Sequence, residues 1–270
     1  MNILHVIFLS IVEGLTEFLP ISSTGHLILA SKLMGLTETN FIKTFEIVIQ
    51  FGAIMAVVAL YTKKFLNIKL LKKLIVAFIP TAIVGFTLYP IIKSVLLGSS
   101  AITLNALFWG GVVLIIVELI IKKVKNRQSL VSQSPSKKQE VDEIDYSKVS
   151  YKKAFLIGCF QCLSIIPGVS RAAATIIGGL STGLNRSTAT EFSFLLAVPT
   201  MMAASTLDIY KSREYISQTG TLTLVIGTVL SFIFAMLAIK FLINFVKKHD
   251  FTGFGIYRIC LSILFWIFVK

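Results

Sequence analysis

Six apolar runs, residues 45 to 61, 74 to 93, 101 to 121, 188 to 206, 221 to 239 and 252 to 269, each come near the length that crosses bilayer hydrocarbon. A chain in lipid must satisfy its backbone hydrogen bonds internally, and runs of this length do so as helices. The composition agrees: the chain is 55% hydrophobic and 14% charged, with a mean hydropathy of +0.85, outside the usual balance of a soluble domain. A single membrane domain over residues 1–270 is expected.

Two further apolar stretches, residues 3 to 34 and 154 to 183, are interrupted by Pro20-Ile21-Ser22-Ser23-Thr24-Gly25 and by Pro167-Gly168-Val169-Ser170-Arg171. Proline removes a helix donor and clashes with the preceding turn, so each stretch should break there. Each then reads as two half-helices that return to the side they came from. The first run has no early Lys or Arg and contains Glu13 and Glu17, so it is expected to remain rather than be cleaved as a signal peptide.

The formal charge of +13 sits mainly between the apolar runs. Orientation in a membrane explains that better than nucleic acid, which is not an expected partner. Lys122 to Lys153, with Lys122, Lys123, Lys125, Arg127, Lys137, Lys138, Lys148, Lys152 and Lys153, reads as a mobile cytoplasmic loop. Lys63, Lys64, Lys69, Lys72, Lys73, Lys247 and Lys248 fall on the same side, and Lys211 and Arg213 opposite, beside Asp208 and Glu214.

Each half is thus one re-entrant helical hairpin followed by three transmembrane helices, and an odd number of crossings inverts the second half. The expected fold is an all-α polytopic membrane protein built from two inverted repeats, residues 1–121 and 154–270, joined by the loop 122–153. Pro20-Ile21-Ser22-Ser23-Thr24 parallels Pro167-Gly168-Val169-Ser170-Arg171, and Phe45-Glu46 parallels Thr190-Glu191.

Glu13 and Glu17 stand four apart on one helix face in an apolar segment. Buried carboxylates without partners are costly, so they need a proton, a cation or a metal. They are candidate ligands of a divalent ion bridging to phosphate, or a general base. Ser22, Ser23 and Thr24 offer hydroxyls at the start of the next half-helix, where free backbone donors favour an anion. His26, three residues beyond Ser23, can move a proton near neutral pH. Arg171, beside Ser170, has a fork suited to phosphate oxygens or a carboxylate. Glu46 and Gln50, also four apart, and Gln161 are further cavity candidates, whereas a Thr188-x-x-Glu191 capping box accounts for Glu191. Arg258 is expected to snorkel to the cytoplasmic surface. Cys159 and Cys162 have the spacing of half a zinc site, but with no second pair nearby they read as packing residues.

Through Glu13-Gly-Leu-Thr-Glu17-Phe-Leu-Pro-Ile-Ser-Ser23-Thr-Gly-His26 and Pro167-Gly-Val-Ser-Arg171-Ala-Ala-Ala-Thr175, the chain resembles the undecaprenyl pyrophosphate phosphatases of the BacA/UppP type over essentially its whole length. It departs at Ala172, where that family usually has serine. The resemblance implies hydrolysis of the C55 isoprenoid pyrophosphate to the monophosphate carrier, recycling for cell-wall synthesis, and bacitracin resistance. It also implies dependence on Mg²⁺ or Ca²⁺, interlocked inverted repeats and a homodimer. Carried over residue by residue, it makes Glu13, Glu17, Ser23, His26 and Arg171 catalytic, with Glu13 and Glu17 at the metal. Ser22, Thr24, Gly168, Ser170, Thr175, Glu46 and Gln50 are the expected substrate contacts.

The expected partners are a polyprenyl pyrophosphate and membrane lipids, with the site on the extracytoplasmic side. Two attack routes stay open: Ser23 as nucleophile with His26 taking its proton, or water activated by a glutamate with His26 protonating the leaving group. Inverted repeats with broken helices also suit a transporter or lipid flippase, and a channel or scaffold is a third reading.

Overall fold

The computed structural model describes residues 1–37, 39–91, 100–131, 143–211 and 220–268. Among them are ten α-helices: α1 Ile3–Thr16, α2 Ser23–Leu33, α3 Asn40–Phe65, α4 Ile68–Ile91, α5 Ser100–Val131, α6 Tyr151–Gln161, α7 Arg171–Ser181, α8 Arg186–Lys211, α9 Thr221–Val246 and α10 Thr252–Phe268. Short 3₁₀ turns occupy Tyr146–Lys148 and Cys162–Ile165, and no strand occurs among the described residues.

Four helices are long and apolar enough to cross a membrane: α3, α4 over Ile68–Leu88, α5 over Ser100–Val124, and α9. Phe86, Trp109, Leu222 and Trp266 stay exposed on the outside, as side chains facing lipid do. The run 188 to 206 is different. It lies in α8, which is not among the candidate spans found over the described residues. Every side chain from Ser187 to Val198 is buried, so the first half of α8 meets protein rather than lipid and tolerates Ser187, Thr188, Thr190 and Ser193 in the core.

Both interrupted stretches are broken as expected. At 1.5 Å per residue, 14 residues in α1 and 11 each in α2, α6 and α7 give lengths of about 17 to 21 Å, against about 30 Å of hydrocarbon. None crosses alone. α2 is capped by Ser22 and α7 by Ser170, and these are the only non-glycine residues with positive φ among the described residues, 72° and 28°. Such backbone persists in non-glycine residues only where the surroundings hold it, commonly at functional sites.

The two halves share landmarks at one constant spacing. The caps Asn2 and Ser150, the caps Ser22 and Ser170, the helix ends Met34 and Thr182, and the left-handed Gly35 and Gly183 all correspond. In this register Pro20 stands opposite Gly168 rather than Pro167, one residue from the alignment that the prolines suggest.

α1 packs on α9 and α6 on α4, so the first arm of each broken pair leans on a helix of the other half. α3 meets α8 and α9, α8 also meets α7 and α4, and α5 pairs with α10. The main apolar core, including Phe18, Phe192, Phe194 and Phe251, joins most of these helices. A second cluster of Val6, Leu9, Phe45 and Leu224 lies where α1 meets α3 and α9, and a third of Leu104, Leu107 and Phe265 between α5 and α10.

The polar connection differs from a loose loop over 122–153. α5 continues through Lys122, Lys123 and Arg127 to Val131. Residues 132–142, with Lys137 and Lys138, lie outside the described residues, as do Arg213 and Glu214. From Glu143 on, the segment is tied down. Asp145 N–H donates to Thr188 Oγ1 at 2.9 Å, Lys73 Nζ to the Tyr146 carbonyl at 2.8 Å, and the Tyr146 hydroxyl to Glu191.

Glu191 is therefore not the end of a capping box. Asn185 caps α8 by accepting from Thr188 N–H at 2.8 Å, and Glu191 serves Tyr146 and Lys64. Cys159 is exposed rather than packed, and Cys162 half-buried.

Candidate functional site

A cavity of about 180 Å³ lies where the two breaks meet, far above the ~10–15 Å³ that one water needs. Its walls include Glu17, Ser22, Ser23 and Thr24 from the first break and Gly168, Ser170 and Arg171 from the second, with Gln50 from α3. These eight expected residues converge although the two motifs are far apart in sequence. The start of α2 and the start of α7 face the same space, so two sets of free N–H groups and two helix dipoles point there.

The geometry around Glu17 is specific. The Ser23 hydroxyl donates to Glu17 Oε2, and Arg171 Nη2 donates to Glu17 Oε1 at 3.0 Å. The Glu17 and Arg171 side chains are 5% and 9% exposed. Serine, carboxylate and guanidinium thus form one chain: a hydroxyl, a group able to take its proton, and a cation that orients the second group.

Arg171 is braced from behind. Nη1 donates to the Ser193 carbonyl at 3.1 Å, the guanidinium lies 5.4 Å from the Phe18 ring centre, and Nη2 also reaches Met201 Sδ at 3.4 Å. Thr175, buried rather than on the cavity wall, bonds Ser193 Oγ at 2.6 Å and the Arg171 carbonyl at 2.9 Å. It supports the arginine from below.

His26 is placed differently from the expected Ser23 proton acceptor. Its Nδ1 lies 2.7 Å from the Ser22 carbonyl, an acceptor, so Nδ1 carries the proton. Nε2 lies 2.8 Å from the Tyr257 hydroxyl, with the two rings stacked. His26 holds the first turn and is not on the cavity wall. In this structure the proton partner of Ser23 is Glu17, because its carboxylate already receives that hydroxyl.

Glu13 and Glu46 also lie off the wall. Glu13 is 1% exposed, and neither of its carboxylate oxygens has a hydrogen-bond partner. It feels the charges of Glu17, Glu46 and Arg171. An orphaned buried carboxylate is a fit donor for a hard divalent cation, which commonly takes one or two carboxylates and completes its shell with phosphate and water. A cage made by Glu13 and Glu17 together fits less well, since both Glu17 oxygens are engaged. Among the described residues no group of three or more His, Cys, Asp or Glu is arranged to hold a metal.

Several wall residues were not singled out by the sequence: Ser164, Thr200, Met201 and the apolar Ile166 and Ala204. Gln161 stands just behind them, donating to Thr81 at 2.9 Å and Thr200 at 3.0 Å. Arg258 does not snorkel. It is fully buried and donates to the carbonyls of Pro20, Ala106, Leu107 and Gly168.

The family model described as bacitracin resistance protein BacA matches residues 6–264. An undecaprenyl-diphosphatase of Persephonella marina is 52% identical, covering 100% of both chains. One from Sulfurihydrogenibium sp. is 50% identical over 99% of both. Another, from Aquifex aeolicus, is 43% identical over 98% of this chain and 97% of its own.

Proposed function

The chain belongs to the bacitracin resistance protein BacA family, and from that premise we propose that it is a membrane-embedded hydrolase converting undecaprenyl pyrophosphate to undecaprenyl phosphate and inorganic phosphate. The relatives named undecaprenyl-diphosphatase match it from end to end. The observation that carries the reading is the cavity itself, where two half-helix starts, Ser23, Glu17 and Arg171 surround space for one anion.

The proposed chemistry uses the hydrogen bonds already present. Ser23 Oγ attacks the terminal phosphorus while its proton passes to Glu17 Oε2. The bond from that phosphorus to the bridging oxygen breaks, and undecaprenyl phosphate leaves with the proton from Glu17. Water then attacks the phosphoserine, giving its proton to Glu17, which returns it to Ser23 as phosphate departs. Arg171 and the backbone donors of both breaks stabilise the negative charge, and stabilisation of this kind supplies most of the catalysis in phosphoryl transfer. His26 keeps the first turn in place through Ser22.

Glu13 is the residue we assign to Mg²⁺ or Ca²⁺. When bound, such an ion neutralises phosphate charge.

The rest of the reading follows from the same premise. Residues 1–270 act as one membrane domain of interlocked inverted repeats, supported by the shared spacing of caps and by the crossed packing of α1 on α9 and α6 on α4. The polyprenyl tail lies along exposed apolar helices among membrane lipids, the head group enters from the extracytoplasmic side, and the protein works as a homodimer. Its product supplies cell-wall synthesis, and its abundance confers resistance to bacitracin.

The purified protein in detergent, given undecaprenyl pyrophosphate and no gradient, is expected to release phosphate, less so with EDTA. Arg171→Ala should elute as folded protein yet release none. A folded wild type that releases no phosphate overturns the hydrolase in favour of a transporter.

A further inference from the structure

Among the described residues Arg258 is the largest fully buried side chain, and the proposed reaction does not use it. A buried guanidinium persists only with its donors satisfied. Here they are met by backbone alone: Nη1 donates to the Pro20 carbonyl at 3.1 Å, Nη2 to Gly168 at 3.0 Å and Ala106 at 3.1 Å, and Nε to Leu107 at 3.2 Å.

Two of those carbonyls are not an arbitrary pair. Pro20 precedes the cap Ser22 by the interval at which Gly168 precedes the cap Ser170. They are the same position in the two halves, and one side chain holds both. Counting by the spacing that relates the caps, the counterpart of Arg258 in the first half is Gly110. That glycine lies directly against it: a Cβ at Gly110 would stand 2.1 Å from Arg258 Nη2. α5 and α10, which carry the two positions, pack on each other. The guanidinium therefore sits where the two halves meet, with room for one such group only.

We infer that Arg258 is the positioning residue of the site, a single clamp that fixes both broken turns at the separation that brings Ser23 and Glu17 opposite Arg171. Its effect on turnover rests on the hydrolase reading; its effect on the turns does not. Because the clamp lies between equivalent positions, a guanidinium supplied from position 110 serves the same two carbonyls.

The test compares wild type, R258K, R258M, G110R and the exchange variant G110R/R258G in detergent. Amide hydrogen exchange is followed over residues 19–22 and 166–170, alongside kcat and KM for phosphate release from undecaprenyl pyrophosphate. R258K and R258M are expected to speed exchange at both turns together and to lower kcat about 100-fold, the scale of an ångström-sized misplacement, with KM nearly unchanged. G110R alone crowds two guanidinium groups into one place and loses activity. The exchange variant recovers slow exchange at both turns and most of kcat.

Should R258M fail to fold, R258K decides the matter. Faster exchange at one turn only or at neither, wild-type kcat in R258K, or an exchange variant no better than R258M overturns the inference. A wild type that releases no phosphate, with both turns still loosened in R258K, would count against the hydrolase and leave the clamp standing.

Discussion

Replacing Glu17 by glutamine separates charge from shape at the centre of the site. Glu17 Oε2 receives the Ser23 hydroxyl and Oε1 holds Arg171 at 3.0 Å, with both side chains of the ion pair under 10% exposed. Glutamine keeps one acceptor for Arg171, but it cannot take a proton from Ser23. Loss of a positioned base costs about 10²- to 10⁴-fold, or about 3–5 kcal/mol of barrier. Breaking a buried pair outright costs about 3–5 kcal/mol of stability; the retained neutral hydrogen bond keeps Glu17→Gln at the lower end. Thermal melting and phosphate release in detergent measure the two losses separately. We expect a folded protein with kcat down at least ~100-fold and little change in KM. Ser23→Ala should lose a similar amount, and the double variant scarcely more, because residues acting as a unit are not additive. A folded Glu17→Gln enzyme with kcat within about threefold of wild type, under 1 kcal/mol of barrier, refutes the assignment of Glu17 as base.

Other outcomes follow from the same contacts. Arg171→Lys cannot serve both the Ser193 carbonyl and Glu17, so kcat should fall about 10²- to 10³-fold, the cost of one charge-stabilising donor. Thr175→Val leaves Ser193 Oγ without its 2.6 Å partner and should cost about 1–3 kcal/mol on melting, with kcat falling through Arg171. His26→Gln should keep the wild-type shape of the pH–rate profile, since both ring nitrogens serve Ser22 and Tyr257; loss of a limb near neutral pH would restore histidine as the proton carrier. Glu118, fully buried, accepts from Arg186 Nε at 3.0 Å and from Phe251 N–H at 3.2 Å, away from the cavity. Glu118→Ala should lower stability by about 3–5 kcal/mol and leave KM unchanged.

Much of the fold was legible because lipid imposes a simple rule on exposed helices. The runs in α3, α4, α5 and α9 stand out by hydropathy alone. α8 sees protein on all sides near its start, so hydropathy carries its signal less clearly. The breaks were legible through Pro20 and Pro167, yet the caps Ser22 and Ser170 set the true register, because a positive φ is a tertiary outcome that no local propensity favours for serine. Glu17, Ser23 and Arg171 could be nominated as costly polar groups in apolar surroundings. That Ser23 turns to Glu17 while His26 is taken up by the Ser22 carbonyl and Tyr257 depends on tertiary placement, which spacing does not encode. Arg258 is illegible for the same reason: its position in the last helix suits snorkelling, and its burial depends on carbonyls at two distant breaks and in α5.

In the proposed mechanism Ser23, held by Glu17 and faced by Arg171, takes the phosphoryl group. The direct test is a single turnover of undecaprenyl pyrophosphate radiolabelled at its terminal phosphate, quenched in acid and mapped by peptide. Label should appear on the peptide carrying Ser23 and decay as phosphate appears, with neither label nor phosphate in Ser23→Ala. Phosphate released at the wild-type rate by Ser23→Ala would contradict it.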